Sequence, residues 1–300
     1  MSGIKPERFR HSRKSSNSPA QQLRQLLAKD TCHVMPCCWD GLSAKMIADA
    51  GFPFTFMSGF AVSAARIGAP DTGLISFGEM LDQGRNICAV SPIPVIGDGD
   101  TGYGNALNIH RTVDLYARAG FAAVMIEDQV SPKRCGHTRG KQVVSRPEAV
   151  GRIRAAVDAR NAGADILILA RTDARHGEGL NEAIWRASAF ADLGADILFV
   201  EAPHSLEELA AITQQVPGYH MANMLEGGKT PMVPAAELHQ MGYNIAAYPL
   251  TILSAAMKAM QQSLGQMKSG NHPDDALLKF DELRRIVGFD DYYEAEKPYE

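Results

Sequence analysis

From Leu23 to the end of the chain, short apolar runs alternate with longer amphipathic segments. Eight runs of three to five residues are almost continuously apolar. They are residues 33–35, 54–57, 94–96, 122–126, 166–170, 197–200, 220–222 and 245–247. Runs of this kind are typical of strands that are covered on both faces, as in a parallel sheet.

The segments between these runs have the apolar spacing of helices. In residues 147–160, for example, Val150, Ile153 and Val157 fall on one helical face, and residues 180–193 show the same pattern. Glycine occurs at 51, 120, 194 and 242, shortly before the next predicted strand, where a helix C-cap is expected. Eight such units predict an α/β fold, a (β/α)8 TIM-type barrel. An open doubly wound sheet is the alternative, but no G-x-G-x-x-G opens a helix after the first run.

The first 22 residues differ from the rest, because they are rich in Arg, Lys and Ser and contain one acid, Glu7. We expect residues 1–22 to form a flexible basic arm and residues 23–300 to form one barrel domain with a C-terminal helical extension. Segments poor in acids and rich in Arg and Ser can also direct a protein to an organelle. Organelle targeting by the arm is therefore the alternative to a cytoplasmic location.

Composition and charge exclude several classes of function. The chain has 300 residues, 30 basic and 34 acidic, with a formal net charge of −4, so a chain-wide basic field for nucleic acid is absent. No apolar run reaches the ~18 residues that suggest a membrane span. Five irregularly placed cysteines favour free thiols in a reducing compartment. We expect no nucleic-acid partner and no membrane partner.

Polar side chains follow six of the apolar runs. In chain order they are Ser58, the run of residues 98–104 with Asp98 and Asp100, Glu127, Arg171, Glu201 and Asn223. In a parallel barrel these strand ends gather at one mouth, where barrel enzymes have their active sites. An acid after one strand is often only a turn former or a helix cap, but six such strand ends favour a functional site.

The acids predict a divalent metal. Asp98, Asp100, Glu127 and Glu201 would repel one another in one cavity unless a cation lay among them. Oxygen ligands suit Mg²⁺, or Mn²⁺, rather than Zn²⁺. Because Mg²⁺ keeps several of its waters, we expect one carboxylate to bind it directly and others to hold those waters.

A basic segment after the fourth run contains Lys133, Arg134, Cys135 and His137. Cationic neighbours lower the pKa of a thiol, so Cys135 could exchange a proton with a substrate near neutral pH. The alternative is a basic surface loop with an incidental cysteine.

Four motifs, at residues 98–104, 127–129, 133–137 and 170–173, resemble the isocitrate lyase/phosphoenolpyruvate mutase superfamily in order and spacing. The resemblance extends over about residues 23–293. Within the superfamily, the chain looks most similar to short-chain lyases of the 2,3-dimethylmalate lyase and methylisocitrate lyase type. Residues 200–203 and 222–231 are similar to those of lyases of the petal death protein type.

The resemblance implies a barrel whose last helix is exchanged between subunits, in a homodimer or homotetramer. It implies Mg²⁺ bound through Asp100, with Asp98 and Glu127 acting through waters. It implies that Cys135 donates a proton to the leaving carbanion, on a loop that closes over the site.

The remaining site residues are also implied by the resemblance. The catalytic set is Cys135, Arg171, His137 and Lys133. The substrate-binding set is Ser58, Gly59, Phe60, Asp71, Gly136, Arg171, Glu201 and Asn223.

The implied activity is Mg²⁺-dependent cleavage of the carbon–carbon bond of a small 2-hydroxy acid of the alkylmalate or methylisocitrate type. The products would be pyruvate, or glyoxylate, and a carboxylic acid. Oxaloacetate decarboxylase or hydrolase chemistry, carboxyphosphoenolpyruvate or phosphonopyruvate mutase chemistry, and a non-catalytic binding protein are the alternatives. The Lys-Cys-Gly-His type of loop argues against the mutase and decarboxylase branches.

The chain departs from the superfamily pattern at three positions. Gly97 and Gly99 stand where alanine is usual, and Trp39 stands where tyrosine is frequent. We expect Trp39, together with Phe60, Leu225 and Tyr248, to shape the pocket and to select the substrate.

Overall fold

The computed structural model describes residues 17–134 and 140–300. Eight parallel strands pair in chain order and close into a barrel, because β8 also pairs with β1. The strands are β1 (His33–Cys38), β2 (Thr55–Met57), β3 (Val95–Asp98), β4 (Ala123–Glu127), β5 (Leu167–Thr172), β6 (Ile197–Val200), β7 (Tyr219–Asn223) and β8 (Ile245–Tyr248). The predicted TIM-type (β/α)8 fold is confirmed, and each strand overlaps one predicted apolar run.

Within the described ranges, α-helices connect and flank the strands. They are α1 (Pro19–Leu27), α2 (Gly41–Asp49), α3 (Gly59–Val62), α4 (Phe77–Val90), α5 (Ala106–Ala119), α6 (Arg146–Asn161), α7 (Leu180–Asp192), α8 (Leu206–Gln215), α9 (Ala235–Gln240), α10 (Thr251–Lys268), α11 (Phe280–Val287) and α12 (Phe289–Glu296). Helices α6 and α7 match the two segments predicted from apolar spacing. The glycines predicted at helix ends, 51, 120, 194 and 242, have φ values between 86° and 98°.

Alternating side chains divide the core into an inner and an outer part. On β4, Met125 belongs to the cluster inside the barrel with Ile96 and Leu169. Val124 and Ile126, its neighbours in the chain, belong to the cluster between strands and helices. Both faces of the strand are therefore apolar, which explains the continuous apolar runs in the sequence.

Helix α1 begins inside the predicted arm. Ser18 caps it by accepting a hydrogen bond from the Gln21 amide. Ala20, Leu23 and Leu27 are buried in the same cluster as the barrel interior. Residues 17–22, the part of the predicted arm that the structure describes, are therefore folded against the barrel because they supply apolar surface to it.

Helices α10 to α12 follow the barrel and contribute little to its core. Leu253 is the buried residue of α10, and α11 and α12 contain none. No helix in the described ranges has both the length and the apolar character needed to cross a membrane.

Candidate active site

A pocket lies at the carboxyl ends of the strands. Eight predicted site residues line it, namely Ser58, Phe60, Asp71, Asp98, Lys133, Arg171, Glu201 and Asn223. Three others lie directly beside these, because Gly59 contacts Asp98, Asp100 contacts Lys133, and Glu127 contacts Arg171. The strand ends therefore bring together the described part of the predicted site.

Asp98 ends β3, and its carboxylate is fixed by backbone amides. Oδ1 accepts a hydrogen bond from Asp100 N at 3.0 Å, and Oδ2 accepts one from Gly59 N at 3.1 Å. A Cβ atom on Gly59 would come within 2.5 Å of Oδ2. Glycine at position 59 therefore permits the carboxylate to approach the backbone this closely.

Lys133 lies between two carboxylates in the pocket wall. Its Nζ is 2.6 Å from Asp71 Oδ1 and 2.8 Å from Asp100 Oδ1, and all three side chains are buried. Burial favours the neutral amine, but Asp100, Asp98 and Asp71 raise the pKa of Lys133 well above its usual value. Lys133 is therefore a permanent cation in the site.

Arg171 at the end of β5 joins three carboxylates. Its Nε and Nη2 donate to the two oxygens of Asp173 at 2.8 and 3.0 Å. Nε is 3.2 Å from Glu127 Oε2, and Nη2 is 3.1 Å from Glu201 Oε2. Against the cost of burial, these carboxylates keep the pKa of Arg171 well above its usual value.

Asp173 and Lys141 are site residues that the prediction omitted. Lys141 Nζ donates to Asp173 Oδ1 at 2.8 Å. Burial alone would favour the protonated acid, but Arg171 and Lys141 hold the pKa of Asp173 well below its usual range. Asp173 lies in a predicted strand-end motif, whereas no sequence pattern indicates that Lys141 pairs with a residue 32 positions away.

Asp128 stabilises the end of β5 by accepting three hydrogen bonds. Its Oδ1 accepts from Asp173 N at 2.9 Å, and its Oδ2 accepts from Thr172 Oγ1 at 2.7 Å and from Arg186 Nη1 at 3.0 Å. This network fixes the backbone beside Arg171.

The ends of the next two strands are joined by a hydrogen bond at the pocket. Asn223 Nδ2 donates to Glu201 Oε2 at 3.1 Å.

The predicted metal residues fit a Mg²⁺ ion that is held by only a few protein ligands. Within residues 17–134 and 140–300, no three His, Cys, Asp or Glu side chains form a metal-binding group. Mg²⁺ needs fewer protein ligands, because it is commonly held by one or two carboxylates and retained waters. Glu127 Oε1 is buried without a hydrogen-bond partner among the described residues, as expected of an oxygen that receives a metal-bound water.

The metal-free site should make the protein less stable as the pH rises from about 4 to about 6. Burial raises the pKa of Asp98 to about 6; Lys133 opposes the shift, and Asp100 and Asp71 add to it. Unfolded aspartate titrates near ~3.9. In this window the folded state therefore binds more protons, and the stabilisation from protonated Asp98 is lost as the pH rises through the folded-state pKa.

Urea unfolding of metal-free wild type and Asp98→Asn across this pH range measures the effect. Because other groups also titrate, the informative quantity is the difference between the two slopes. Identical slopes would contradict the assignment of the shift to Asp98. Saturating Mg²⁺ should remove the Asp98 contribution, since a dication favours the ionised carboxylate.

Cys135, Gly136 and His137 lie outside the described residues. The described residues on either side belong to the mouth of the barrel. Lys133 and Arg134 line the pocket, and Lys141 contacts Asp173.

Trp39 and Tyr248 do not line this pocket, which corrects the prediction that they shape it. Both line a separate apolar groove beside α2 and the start of α10. Side chains alternate along a strand, so Tyr248 faces outward when its neighbour Ala247 lines the mouth. Phe60 and Leu225, predicted with them, do line the mouth pocket.

Comparison with known proteins identifies the family. The family model described as phosphoenolpyruvate phosphomutase matches residues 23–268. The 2,3-dimethylmalate lyase of Eubacterium barkeri is 42% identical over 283 residues, covering 93% of this chain and 98% of the relative. The 2-methylisocitrate lyase of Aeropyrum pernix is 40% identical over 277 residues, covering 91% of this chain and 89% of the relative.

Solved structures agree with this assignment. Oxaloacetate acetylhydrolase in complex with the inhibitor 3,3-difluorooxalacetate superposes with a TM-score of 0.89 at 36% identity, covering 94% of this chain and 97% of that one. Phosphonopyruvate hydrolase in complex with oxalate and Mg²⁺ superposes with a TM-score of 0.83 at 28% identity, covering 94% and 99%. The resemblance seen in the motifs is confirmed, and the chain belongs to the phosphoenolpyruvate mutase/isocitrate lyase superfamily.

Proposed function

We propose that the protein is a Mg²⁺-dependent carbon–carbon lyase that cleaves a 2-hydroxy dicarboxylate of the alkylmalate type into pyruvate and a carboxylic acid. A methylisocitrate-type tricarboxylate, or glyoxylate as the product, is the wider form of the same proposal. The proposal rests chiefly on one observation, the pocket in which Arg171 and Lys133 lie among buried carboxylates.

The lining of the pocket favours an alkyl-substituted dicarboxylate. Its lining includes the polar side chains of Arg171, Lys133 and Asn223 and the apolar side chains of Phe60, Leu225 and Leu250. The polar side chains suit the carboxylate and the 2-oxygen of the substrate. The apolar side chains suit an alkyl group on C3, and one methylene in such a pocket is worth about 1–3 kcal/mol.

The chain's own residues would bind and orient the substrate. Arg171 and Asn223 would hold the carboxylate and the 2-oxygen. The Ser58 hydroxyl accepts a hydrogen bond from Ala61 N at 3.3 Å, so its own proton remains available to a substrate oxygen. Asp100, with Asp98 and Glu127 through waters, would hold Mg²⁺, which supplies Lewis-acid stabilisation of the developing negative charge.

The cleavage balances with two proton movements. The 2-hydroxyl proton leaves to a carboxylate, for which Glu127 is a suitable acceptor because its Oε1 has no hydrogen-bond partner within residues 17–134 and 140–300. The C2–C3 bond breaks, C2 becomes the ketone of pyruvate, and the electron pair remains on C3. We assign the donation of a proton to C3 to Cys135, whose immediate neighbour Arg134 lines the pocket, with His137 and Lys133 as its cationic partners.

A substrate panel tests this function. Pyruvate release, coupled to NADH oxidation by lactate dehydrogenase, is measured with 2,3-dimethylmalate, 2-methylisocitrate, oxaloacetate and phosphonopyruvate, each with Mg²⁺ and with chelator. We expect the highest kcat/KM for an alkylmalate and loss of activity with chelator. Release of pyruvate from none of the four acids would contradict the proposal, and if oxaloacetate also gave no oxalate, a binding protein would be favoured.

Hydrolysis of oxaloacetate is the second candidate function. The similarity to oxaloacetate acetylhydrolase over 94% of this chain favours it. Oxalate formed from oxaloacetate, with no turnover of alkylmalates, would establish this alternative instead of the lyase.

We also propose that the chain forms a dimer or tetramer through α10. Met257, Met260, Leu264 and Met267 of this helix are exposed, and the apolar groove that contains Trp39 lies beside its first turns. Extended exposed apolar surface marks protein–protein interfaces, and exchange of α10, the helix that follows the last strand of the barrel, would bury it.

Light scattering should therefore give the mass of a dimer or tetramer for the wild type. The double variant Met260→Glu/Leu264→Glu should have a lower mass, because charges would be buried in the interface. Leu107→Glu, at an exposed leucine of α5, is the matched control and should assemble normally. A monomeric wild type would contradict the proposal.

A further inference from the structure

The turn formed by residues 98–104, called here the acidic turn, has an unusual backbone. Asp100 and Tyr103 have φ values of 49° and 60°, a region that residues other than glycine rarely adopt. Gly102 and Gly104 also have positive φ. Such conformations persist only where surrounding structure imposes them, so the contacts that hold this turn determine where the Asp100 carboxylate lies.

Helix α5 supplies two of these contacts through side-chain hydroxyls. Tyr116 Oη donates to the carbonyl oxygen of Asp98 at 2.8 Å, and Thr112 Oγ1 donates to that of Gly102 at 3.2 Å. The two residues are four positions apart and therefore lie on one face of the helix. They are 0% and 2% exposed, so water does not compete for either hydroxyl.

Strand β4 holds the middle of the turn. Gly99 N donates to Met125 O, and Glu127 N donates to Asp100 O, both at 2.9 Å. The acidic turn is thus fixed at its middle by a strand and near its two ends by the hydroxyls of α5. Any substitution that removes a hydroxyl leaves the β4 contacts in place.

The ring of Tyr116 is packed in an aromatic stack. Phe121 stacks on Tyr116 with ring centroids 4.7 Å apart and an interplanar angle of 19°. A Cβ atom at Gly97 would lie 2.8 Å from ring atoms of both Tyr116 and Phe121, and one at Gly84 would overlap the Phe121 ring. The position of Tyr116 therefore depends on glycine at 97, one of the positions where this chain departs from the superfamily pattern.

We propose that Thr112 and Tyr116 are positioning residues for metal binding. Their hydroxyls hold the acidic turn in the conformation that presents the carboxylates of Asp98 and Asp100 to the pocket. Neither residue is among those that line the pocket within the described residues, so each acts through the turn. The inference rests on the proposed Mg²⁺-dependent function.

Calorimetric titration of the metal-free, full-length protein with Mg²⁺ alone tests the inference. Tyr116→Phe and Thr112→Val remove one hydroxyl each, and the double variant removes both. Loss of an outer hydrogen bond at a metal site weakens metal affinity by about 10–100-fold, and we expect at least the lower value for each variant. In the assay, the Mg²⁺ concentration for half-maximal activity should rise while kcat at saturating Mg²⁺ changes little.

Tyr243→Phe is the matched control. Tyr243 is also buried, and its hydroxyl donates to the carbonyl oxygen of Leu209 at 3.2 Å, outside the acidic turn. This variant should lose thermal stability, as Tyr116→Phe should, but should bind Mg²⁺ with wild-type affinity. Gly97→Ala keeps both hydroxyls and displaces the rings, so it should also weaken Mg²⁺ binding.

The outcomes separate the inference from the proposed function. If the wild type binds Mg²⁺ and the Tyr116 and Thr112 variants bind it equally well, the two hydroxyls are only structural and the inference is overturned. If the wild type binds no Mg²⁺, the proposed function fails and the inference fails with it. Should Tyr116→Phe not fold, Thr112→Val carries the same expectation at nearly unchanged volume.

Discussion

Arg171→Met should lower kcat/KM by about 10²–10³-fold, the cost of removing one preorganised charged donor from an active site. It should also destabilise the fold by about 3–5 kcal/mol, because breaking a buried ion pair leaves its partners uncompensated. Arg171 is 8% exposed, and its guanidinium contacts Asp173, Glu127 and Glu201. Its loss removes the guanidinium that contacts all three buried carboxylates, while Lys141 still pairs with Asp173.

Steady-state kinetics and urea unfolding measure the two effects separately. Arg171→Lys keeps the charge but not the planar fork that binds Asp173 through two nitrogens, so it should recover stability better than activity. Arg160→Met is the control outside the mouth. Arg160 pairs at 2.6 Å with Asp196, which directly precedes β6 and so lies at the amino end of that strand. Wild-type kcat/KM in Arg171→Met would contradict the assigned role.

The barrel could be predicted from the sequence because its strands are buried on both faces. Runs such as residues 166–170 have no polar position that would suggest an exposed face, and the structure covers β5 on both sides. Parallel pairing then places every strand end at one mouth. That single rule predicts from the sequence alone that Asp98, Glu127, Arg171 and Glu201 lie at the mouth.

What the sequence missed depends on side-chain direction and on contacts distant in the chain. Tyr248 and Ala247 are adjacent, and a strand of only four residues leaves the inward position ambiguous in the sequence. The Lys141–Asp173 pair and the Tyr116 bond to Asp98 join residues that approach only after the barrel closes. The sequence predicts a flexible arm over the start of α1, because the basic composition of residues 1–22 conceals the apolar spacing of Ala20, Leu23 and Leu27.

If Cys135 donates the proton to C3, Cys135→Ala should lower kcat by about 10²–10⁴-fold, the usual contribution of a positioned general acid. Binding of pyruvate in the presence of Mg²⁺ should persist, since Arg171 and Asn223 remain in place. Reaction in D₂O gives a sharper readout, because the wild type should place one deuterium stereospecifically on the former C3 of the acid product. The variant's residual turnover should lose that stereospecificity, because the proton would then come from water.

Cys88→Ala is the matched control, since Cys88 is a buried cysteine of α4 that does not line the pocket. It should keep both the rate and the stereospecific labelling. Full activity with retained stereospecificity in Cys135→Ala would exclude the sulfur as the proton donor. Loss of activity together with loss of pyruvate binding would instead indicate that Cys135 acts in binding, because proton donation to C3 takes place only after the substrate is bound.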